Sequence, residues 1–379
     1  MVKRLFFLTL MLFLFFSLPV AASEQGFYDY EKEYEDFISE IPDDLKGLLP
    51  DGVFSEDREE MAKAVSEAAS PENFFKTVLN MLGFRMKDAL GMLARMVALI
   101  LISSLTRNII KSSGSSAIVE AFDFCTTSGI AAAFLYEQAV MVKLASDFLQ
   151  RLLAMVNSMI PIIGVLYAAG GNVSAATSSV SSLGFFLAVC ENLCAATLIP
   201  AVGICLAFSA ASLFSPQFSL GEISATFKKL YTYGLGLLAA ILSLVMSIQT
   251  QLASKADSLS ARAAKYALGS FIPVVGGTVG ESFRTVAASV DYIKGAVGGL
   301  SIVIILLLLL PPLISLSLGR SAVSISKCVA QMLGCESEAK MLSEIGNIYG
   351  YMIAVCSVCA VIFIYALTLF VRCNAALGG

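Results

Sequence analysis

The sequence contains no histidine and no tryptophan among its 379 residues, and charged side chains make up only 14% of it. Without histidine, the chain cannot form a Ser-His-Asp or Cys-His nucleophilic site, an HExxH zinc site or an imidazole proton relay. A Walker A loop, a GxSxG elbow and a DxD-type acidic cluster are also missing. These absences predict a protein that is not an enzyme and that needs no cofactor.

Cysteine is present nine times, but none of the nine lies between residues 23 and 120. An exported domain held together by disulfides is therefore not indicated. Cys190 and Cys194 are spaced to share one helix face, as are Cys356 and Cys359. A metal site is one interpretation of such pairs. Since there is no histidine and no second pair nearby, the pattern favours small packing residues, and we predict no metal.

Long apolar runs dominate what is present, since hydrophobic residues make up 57% of the chain. Five stretches have no charge at all, and each is long enough to cross a bilayer core of about 20 residues: 152–190, 192–221, 230–254, 295–319 and 345–371. The sequence therefore predicts an all-α polytopic membrane protein with about seven transmembrane helices. We place these near 90–105, 124–136, 176–198, 200–214, 230–253, 299–318 and 345–371. Three amphipathic stretches, 141–157, 255–266 and 320–344, are predicted to lie in the membrane interface.

The first 75 residues differ in character from the rest. Lys3 and Arg4, an apolar run and small residues ending at Ala22 are typical of a signal peptide over residues 1–22. An uncleaved first anchor helix is the alternative. Residues 23–75 form an acidic extracytoplasmic segment, because 23–72 hold 16 acidic residues and four basic ones. This segment is either a solvated leader or a docking segment for a partner. Residues 76–379 form the multi-span membrane domain.

An internal repeat is the most informative feature of the membrane domain. The phrase SMIPIIG at 158–164 recurs as SFIPVVG at 270–276, an offset of 112 residues. The two copies cover about 119–214 and 230–326, and the final span follows at about 345–371. Proline and glycine bound a short apolar piece in each copy, which is typical of re-entrant or broken helices. With three spans per copy, the copies would have opposite orientations, as in transporters built from inverted repeats.

Broken helices of this kind would line a transport path near the centre of the membrane. The candidates are Pro161, Gly164, Gly170, Gly171, Pro273, Gly276, Gly277 and Gly280. Proline and glycine are also common in ordinary membrane helices. The alternative is therefore that both phrases are kinks packed against neighbouring helices.

Charged residues within membrane helices are costly and point to function. Glu191 interrupts two long uncharged stretches, and Glu281 and Asp291 follow the second glycine cluster. Arg95, on the first span, is a candidate partner for such a carboxylate. Glu191 is equally consistent with a helix end near the lipid headgroups.

One phrase carries a family resemblance. Arg262, Lys265 and Tyr266 belong to the segment RAAKY, which is followed by FIPVVG at 271–276. This phrase resembles the stage III sporulation protein AE family of endospore-forming bacteria. The length, the leader and the acidic segment are similar to that family as well. The family has no established catalytic residues, so none is transferred to this chain.

The resemblance implies a membrane component of the channel-like complex that joins mother cell and forespore. It further implies a position in the mother-cell membrane around the forespore. The partners would be other stage III sporulation A-type proteins and a forespore membrane protein. Two alternatives remain: a membrane scaffold that transports nothing, and a stand-alone secondary transporter of a small solute. Nucleic acid is not expected as a partner, whereas an oligomer is compatible with the sequence.

Overall fold

The computed structural model describes residues 30–47, 49–50, 52–55, 58–113, 116–190, 196–214, 220–271 and 276–372. Regular secondary structure within these ranges is entirely helical. Their ten helices are α1 Tyr30–Glu40, α2 Asp43–Lys46, α3 Arg58–Ala68, α4 Pro71–Ser113, α5 Ser116–Ala169, α6 Val173–Cys190, α7 Ala196–Phe214, α8 Leu220–Phe271, α9 Gly276–Met332 and α10 Glu336–Arg372. The predicted signal peptide lies outside the described residues.

Four helical segments in the described ranges are long and apolar enough to cross a membrane: Pro71–Ile109, Ser128–Ala169, Ala287–Met332 and Glu336–Arg372. Each contains at least 37 residues, or about 55 Å of helix at 1.5 Å per residue. That length exceeds the roughly 30 Å of a bilayer core. An all-α membrane protein is thus confirmed.

Helices α9 and α10 form the most extensive helix pair of the bundle. The chain reverses between them at residues 333–335, where Gly334 has a φ of 71°, and the amide of Cys335 donates to the carbonyl of Ala330 at 2.8 Å. The two helices approach closely because glycines of each helix lie opposite large side chains of the other. An added Cβ on Gly319 would lie 2.7 Å from Cε1 of Tyr349.

The directions of the four long helices follow from contacts at opposite ends of the bundle. At one end, Tyr167 of α5 packs edge-on against Phe370 of α10 with ring centroids 5.2 Å apart. At the other end, Ser103 of α4 donates to Glu338 of α10 at 2.7 Å. Near the first end, Gly299 of α9 faces Val65, six residues before α4 begins. Helices α4 and α9 therefore run in one direction, and α5 and α10 in the other.

The acidic segment is not a loose leader over its described residues. Phe37, Ile41, Leu45, Val53 and Met61 are buried and belong to the same hydrophobic core as the long helices. Helix α1 packs on α5, and α3 packs on α9. The predicted domain boundary after residue 75 falls inside α4. These helices are amphipathic because their apolar side chains cover the bundle while their carboxylates face outward.

The first proline phrase does not break a helix, so the broken-helix interpretation is wrong for this copy and the alternative, packing within a helix, agrees with the structure. Helix α5 continues through Pro161 to Ala169. A proline inside a helix costs about 3 kcal/mol, and core packing on both sides offsets it, since Met159, Ile162 and Ile163 are buried. The chain instead turns at residues 170–172. Residues 272–275 of the second phrase, Pro273 among them, lie outside the described residues, between the end of α8 and the start of α9.

Helix boundaries also differ between the two proposed repeat copies. Residues 285–326, which the 112-residue offset equates with 173–214, lie within the single helix α9, whereas 173–214 supply α6 and α7. The three predicted amphipathic stretches do not form separate interfacial helices either. Residues 141–157 lie within α5 and 255–266 within α8, while 320–344 are divided between α9, the turn and α10.

Candidate functional site: a polar junction between helices

A buried lysine marks the most unusual site in the described bundle. The side chain of Lys294 on α9 is 1% exposed, and its Nζ lies 3.5 Å from Oδ1 of Asp291, one turn earlier. The same Nζ lies 5.0 Å from the ring centroid of Tyr167 and 5.6 Å from that of Phe370. A buried ammonium group needs such a carboxylate and such aromatic faces to offset its lost hydration. Lys294 thereby ties α9 to α5 and α10.

The glycine turn after α5 lies next to this lysine. The backbone carbonyl of Tyr167 accepts a hydrogen bond from the amide of Asn172 at 2.9 Å. Gly171 adopts a φ of 79°, which glycine reaches without steric cost. Asn172 is fully buried. The predicted path residues Gly170 and Gly171 thus follow Tyr167 in this turn, and the predicted charge Asp291 is connected to the Tyr167 ring through Lys294.

Asp257 of α8 contacts the start of α6, directly after the glycine turn. Its carboxylate accepts the backbone amides of Ser174 at 3.1 Å and Ala175 at 2.9 Å. These are free donors in the first turn of α6, where the helix dipole also favours a negative charge. The cap comes from another helix and thus fixes α6 against α8. We call Tyr167, Asn172, Asp257, Asp291 and Lys294 the polar junction.

We expect Asp257→Ala to loosen the start of α6 without unfolding the bundle. Two backbone amides would lose their acceptor, and the buried amide of Ala175 would cost about 1–3 kcal/mol if left unpaired, whereas that of Ser174 is only partly buried. Hydrogen exchange of the amides at 173–177 should accelerate by at least about tenfold, since 1.4 kcal/mol is a factor of ten. Ser258→Ala, at the next position of α8, is the control. Unchanged exchange at 173–177 in the Asp257 variant would show that the cap does not hold α6.

A second charged cluster lies at the opposite end of the bundle. Glu338 is fully buried in the first turn of α10, and its Oε1 accepts from Ser103 at 2.7 Å and from Nη2 of Arg107 at 3.0 Å. No donor among the described residues reaches its Oε2. Burial raises the pKa of the neighbouring Cys335 thiol, an effect to which Glu338 also contributes. That thiol stays protonated and is a poor nucleophile. The role that the contacts support is structural, because the hydrogen bonds from Ser103 and Arg107 to Glu338 hold α4 to α10.

Arg95 has a different partner from the one expected. Its Nε lies 2.5 Å from Oε1 of Glu137, and its Nη2 lies 3.1 Å from Oε2 of the same carboxylate. This two-point pair joins α4 to α5 and has the geometry in which arginine binds carboxylates most strongly. Arg95 is therefore a helix-pairing residue in this structure and does not contact Asp291.

The other predicted residues are spread along the chain. Gly164 packs closely on α6, because an added Cβ would lie 3.1 Å from Cγ2 of Val180. Arg262, Lys265 and Tyr266 lie on α8, where Arg262 is exposed. Gly276, Gly277, Gly280 and Glu281 lie on the first turns of α9. Glu191 and Pro273 lie outside the described residues.

Sequence reasoning missed Lys294, Asp257 and Glu338. Lys294 had a signal, since it follows Asp291 by three residues just before the uncharged stretch 295–319. Glu338 lies in 320–344, a stretch that the sequence predicts to be an amphipathic interfacial helix. Asp257 lies among the exposed charges of the same helix, Lys255 and Arg262, and only the contact with α6 distinguishes it. Burial against other helices cannot be read from the spacing within one helix.

Comparison with known proteins gives two matches and one absence. A family model described as Stage III sporulation protein AE matches residues 57–374. Stage III sporulation protein AE of Bacillus subtilis (strain 168) is 22% identical over 260 residues, which cover 66% of this chain and 65% of that relative. The match thus spans slightly less than two thirds of the relative's length. No solved structure matches the chain.

Proposed function

Because the chain belongs to the stage III sporulation protein AE family, we propose that it is a non-catalytic membrane component of the complex joining mother cell and forespore. A role in sporulation follows from the family itself. The finer parts of the proposal are a position in the mother-cell membrane, partnership with other stage III sporulation A-type proteins and a forespore membrane protein, and a permease-like contribution to a conduit.

The polar junction is the observation that carries the conduit proposal. Ionisable side chains buried in membrane helices are expensive and typically mark paths for ions or polar solutes. Lys294 and Asp291 lie where α5, α9 and α10 meet, beside the glycine turn that starts α6. Non-helical backbone at such a turn tolerates membrane depth only inside protein or beside water. A conduit organised around this junction replaces the pair of proline-broken helices that the sequence predicted.

Seven spans are also part of the proposal. Helix α6 has 18 residues and α7 has 19, without a charge in either. At 1.5 Å per residue each is about 27–29 Å long, close to the bilayer core. With the apolar part of α8, these helices would raise the four long spans to seven. An inverted repeat rests on the duplicated phrase alone, because the helix boundaries of the two copies differ.

A scaffold that transports nothing is the second candidate. The enclosure of Lys294 favours it. A lysine that is 1% exposed and flanked by two aromatic rings can also serve only to hold α9 against α5 and α10. A stand-alone secondary transporter would use the same junction without partners. The following substitution distinguishes a conduit from a scaffold.

We expect Lys294→Met to abolish most conduit activity while the complex still assembles. Methionine retains the apolar contacts with Tyr167 and Phe370 but removes the charge, and Asp291, whose side chain is 39% exposed, can remain hydrated. Forespore transcription and heat-resistant spore yield should fall by about tenfold or more, as for a barrier change of about 1.4 kcal/mol. Co-purification of the partners measures assembly.

Lys327→Met is the matched control, because Lys327 is a half-buried lysine of the same helix whose Nζ binds Ser343 at 3.0 Å, outside the junction. Normal spores with normal assembly in the Lys294 variant would contradict a conduit through the junction and favour the scaffold. Loss of spores in the Lys327 variant as well would assign the defect to α9 in general.

A further inference from the structure

A groove of about 800 Å³ lies between the end of α3, the start of α4 and the outer face of α9. Its walls include Phe74 on α4 and Ile302, Val303 and Leu306 on α9, and its floor includes Gly295. Two of its three sides belong to segments apolar enough to cross a membrane, Pro71–Ile109 and Ala287–Met332, and the end of α3 supplies the third. Its inner half lies along the uncharged stretch 295–319 of α9. In hydrocarbon, lipid chains are what fills an apolar groove.

The dimensions of the groove suit one acyl chain with its headgroup. Its lining runs along α9 from Asp291 to Leu306, which is about 22 Å at 1.5 Å per residue. One leaflet of a bilayer core is about 15 Å thick, half of roughly 30 Å. The remaining length, at the Asp291 end, leaves room for a polar headgroup. Gly295 keeps the floor open, since nothing lies within 4 Å of an added Cβ there.

The polar end of the groove has one sign of charge. Asp291 is the charged residue among the described lining residues, and its side chain is 39% exposed. Lys294 binds the same carboxylate from the protein side and is enclosed by Tyr167 and Phe370, so its ammonium group does not line the groove. The exposed part of this carboxylate accepts hydrogen bonds, so it can bind an ammonium headgroup but offers no donor to an anionic one.

From these features we infer that the groove is a binding site for a phospholipid with an amine headgroup, such as phosphatidylethanolamine. One acyl chain lies along Gly295, Ile302 and Leu306, and the ammonium group contacts Asp291. The lipid thereby fills the seam between the acidic segment and α9. The site shares Asp291 with the polar junction, but lipid binding requires neither a conduit nor a partner protein, so lipid retention tests it separately from sporulation.

Native mass spectrometry of the full chain tests the site. The protein is purified in mild detergent, exchanged into equal amounts of phosphatidylethanolamine and phosphatidylglycerol, and stripped in steps. The wild type should retain one phosphatidylethanolamine after other lipids are lost. Gly295→Leu fills the groove and should lower this retention by about tenfold, equivalent to about 1.4 kcal/mol. Gly129→Leu is the matched control, since Gly129 also has open space around an added Cβ but lies on the exposed face of α5.

A second variant examines the headgroup. Asp291→Asn combined with Lys294→Met removes both charges together, so that no buried ammonium group loses its partner. This variant should retain phosphatidylethanolamine and phosphatidylglycerol equally, whereas the wild type should not. Equal retention of both lipids by the wild type would overturn the headgroup assignment. Undiminished retention by Gly295→Leu, or a second protein chain displaced by that substitution instead of lipid, would overturn the site.

Discussion

Replacing Arg107 with methionine is expected to destabilise the described bundle by about 3–5 kcal/mol, the cost of leaving one member of a buried ion pair without its partner. Glu338 is fully buried, whereas the side chain of Arg107 is 20% exposed. The carboxylate would then retain Ser103 as its one described donor. Since α4 reaches α10 through this pair, the loss should separate the two helices first. The free energy of unfolding in mixed micelles, followed by circular dichroism, measures the effect.

Replacing the other member of the pair, Glu338, should lower the free energy of unfolding much less. Glu338→Leu removes the buried carboxylate, so that only the Ser103 hydroxyl loses a buried acceptor, while the partly exposed Arg107 can turn toward water. The double variant Arg107→Met and Glu338→Leu should recover most of the stability that Arg107→Met loses, because well-packed apolar residues often replace a buried pair without cost. Lys46→Met, which breaks an exposed pair with Asp43, should have no measurable effect. Equal losses in the two single variants would contradict the role of burial.

A single added methyl group at Gly319 should also destabilise the α9–α10 hairpin, by about 1–3 kcal/mol. In Gly319→Ala the Cβ would lie 2.7 Å from Cε1 of Tyr349, closer than real Cβ contacts allow. Tyr349 is fully buried, and its hydroxyl lies 3.9 Å from Sδ of Met92 on α4. The ring therefore has no space in which to move. The apparent unfolding temperature in detergent gives the first measurement.

Gly129→Ala provides the opposite expectation at a helical glycine with open surroundings. Alanine there should stabilise α5 by about 0.5–1 kcal/mol, because glycine is a poor helix former. Adding Gly319→Ala to a Tyr349→Leu variant should cost no further stability, since leucine vacates the position of Cε1. If Gly319→Ala behaves like Gly129→Ala, the close approach of α9 and α10 is not a determinant of stability.

The sequence predicted the helical membrane class and the family from particular features. Uncharged stretches such as 295–319 and 345–371 have no other stable state than helices in lipid, and both lie in long helices of the structure. The phrase at 262–276 carried the family resemblance, and the family match at 57–374 confirms it. Such features are local, because hydropathy and short motifs depend on neighbouring residues only.

Helix α5 does not break at Pro161, and the reason cannot be found in the residues next to the proline along the chain. Proline alone predicts a kink or an end, but packing around Ile162 and Ile163 holds α5 as one helix. Gly170 and Gly171, named on the same grounds, do end it. The sequence thus predicts an interruption both at Pro161 and at Gly170–Gly171. The packing of α5 in the bundle determines that the helix ends at the glycines.

By itself, the sequence determined that this protein is helical, resides in a membrane and belongs to its sporulation family, because these properties depend on hydrophobic length and on contiguous motifs. Tertiary structure alone decided which charges meet. Lys294 with Tyr167 and Phe370, Asp257 with the start of α6, and Glu338 with Arg107 are contacts between helices. The partners of a buried charge are set by how helices pack against one another, and that packing is decided by the whole chain at once.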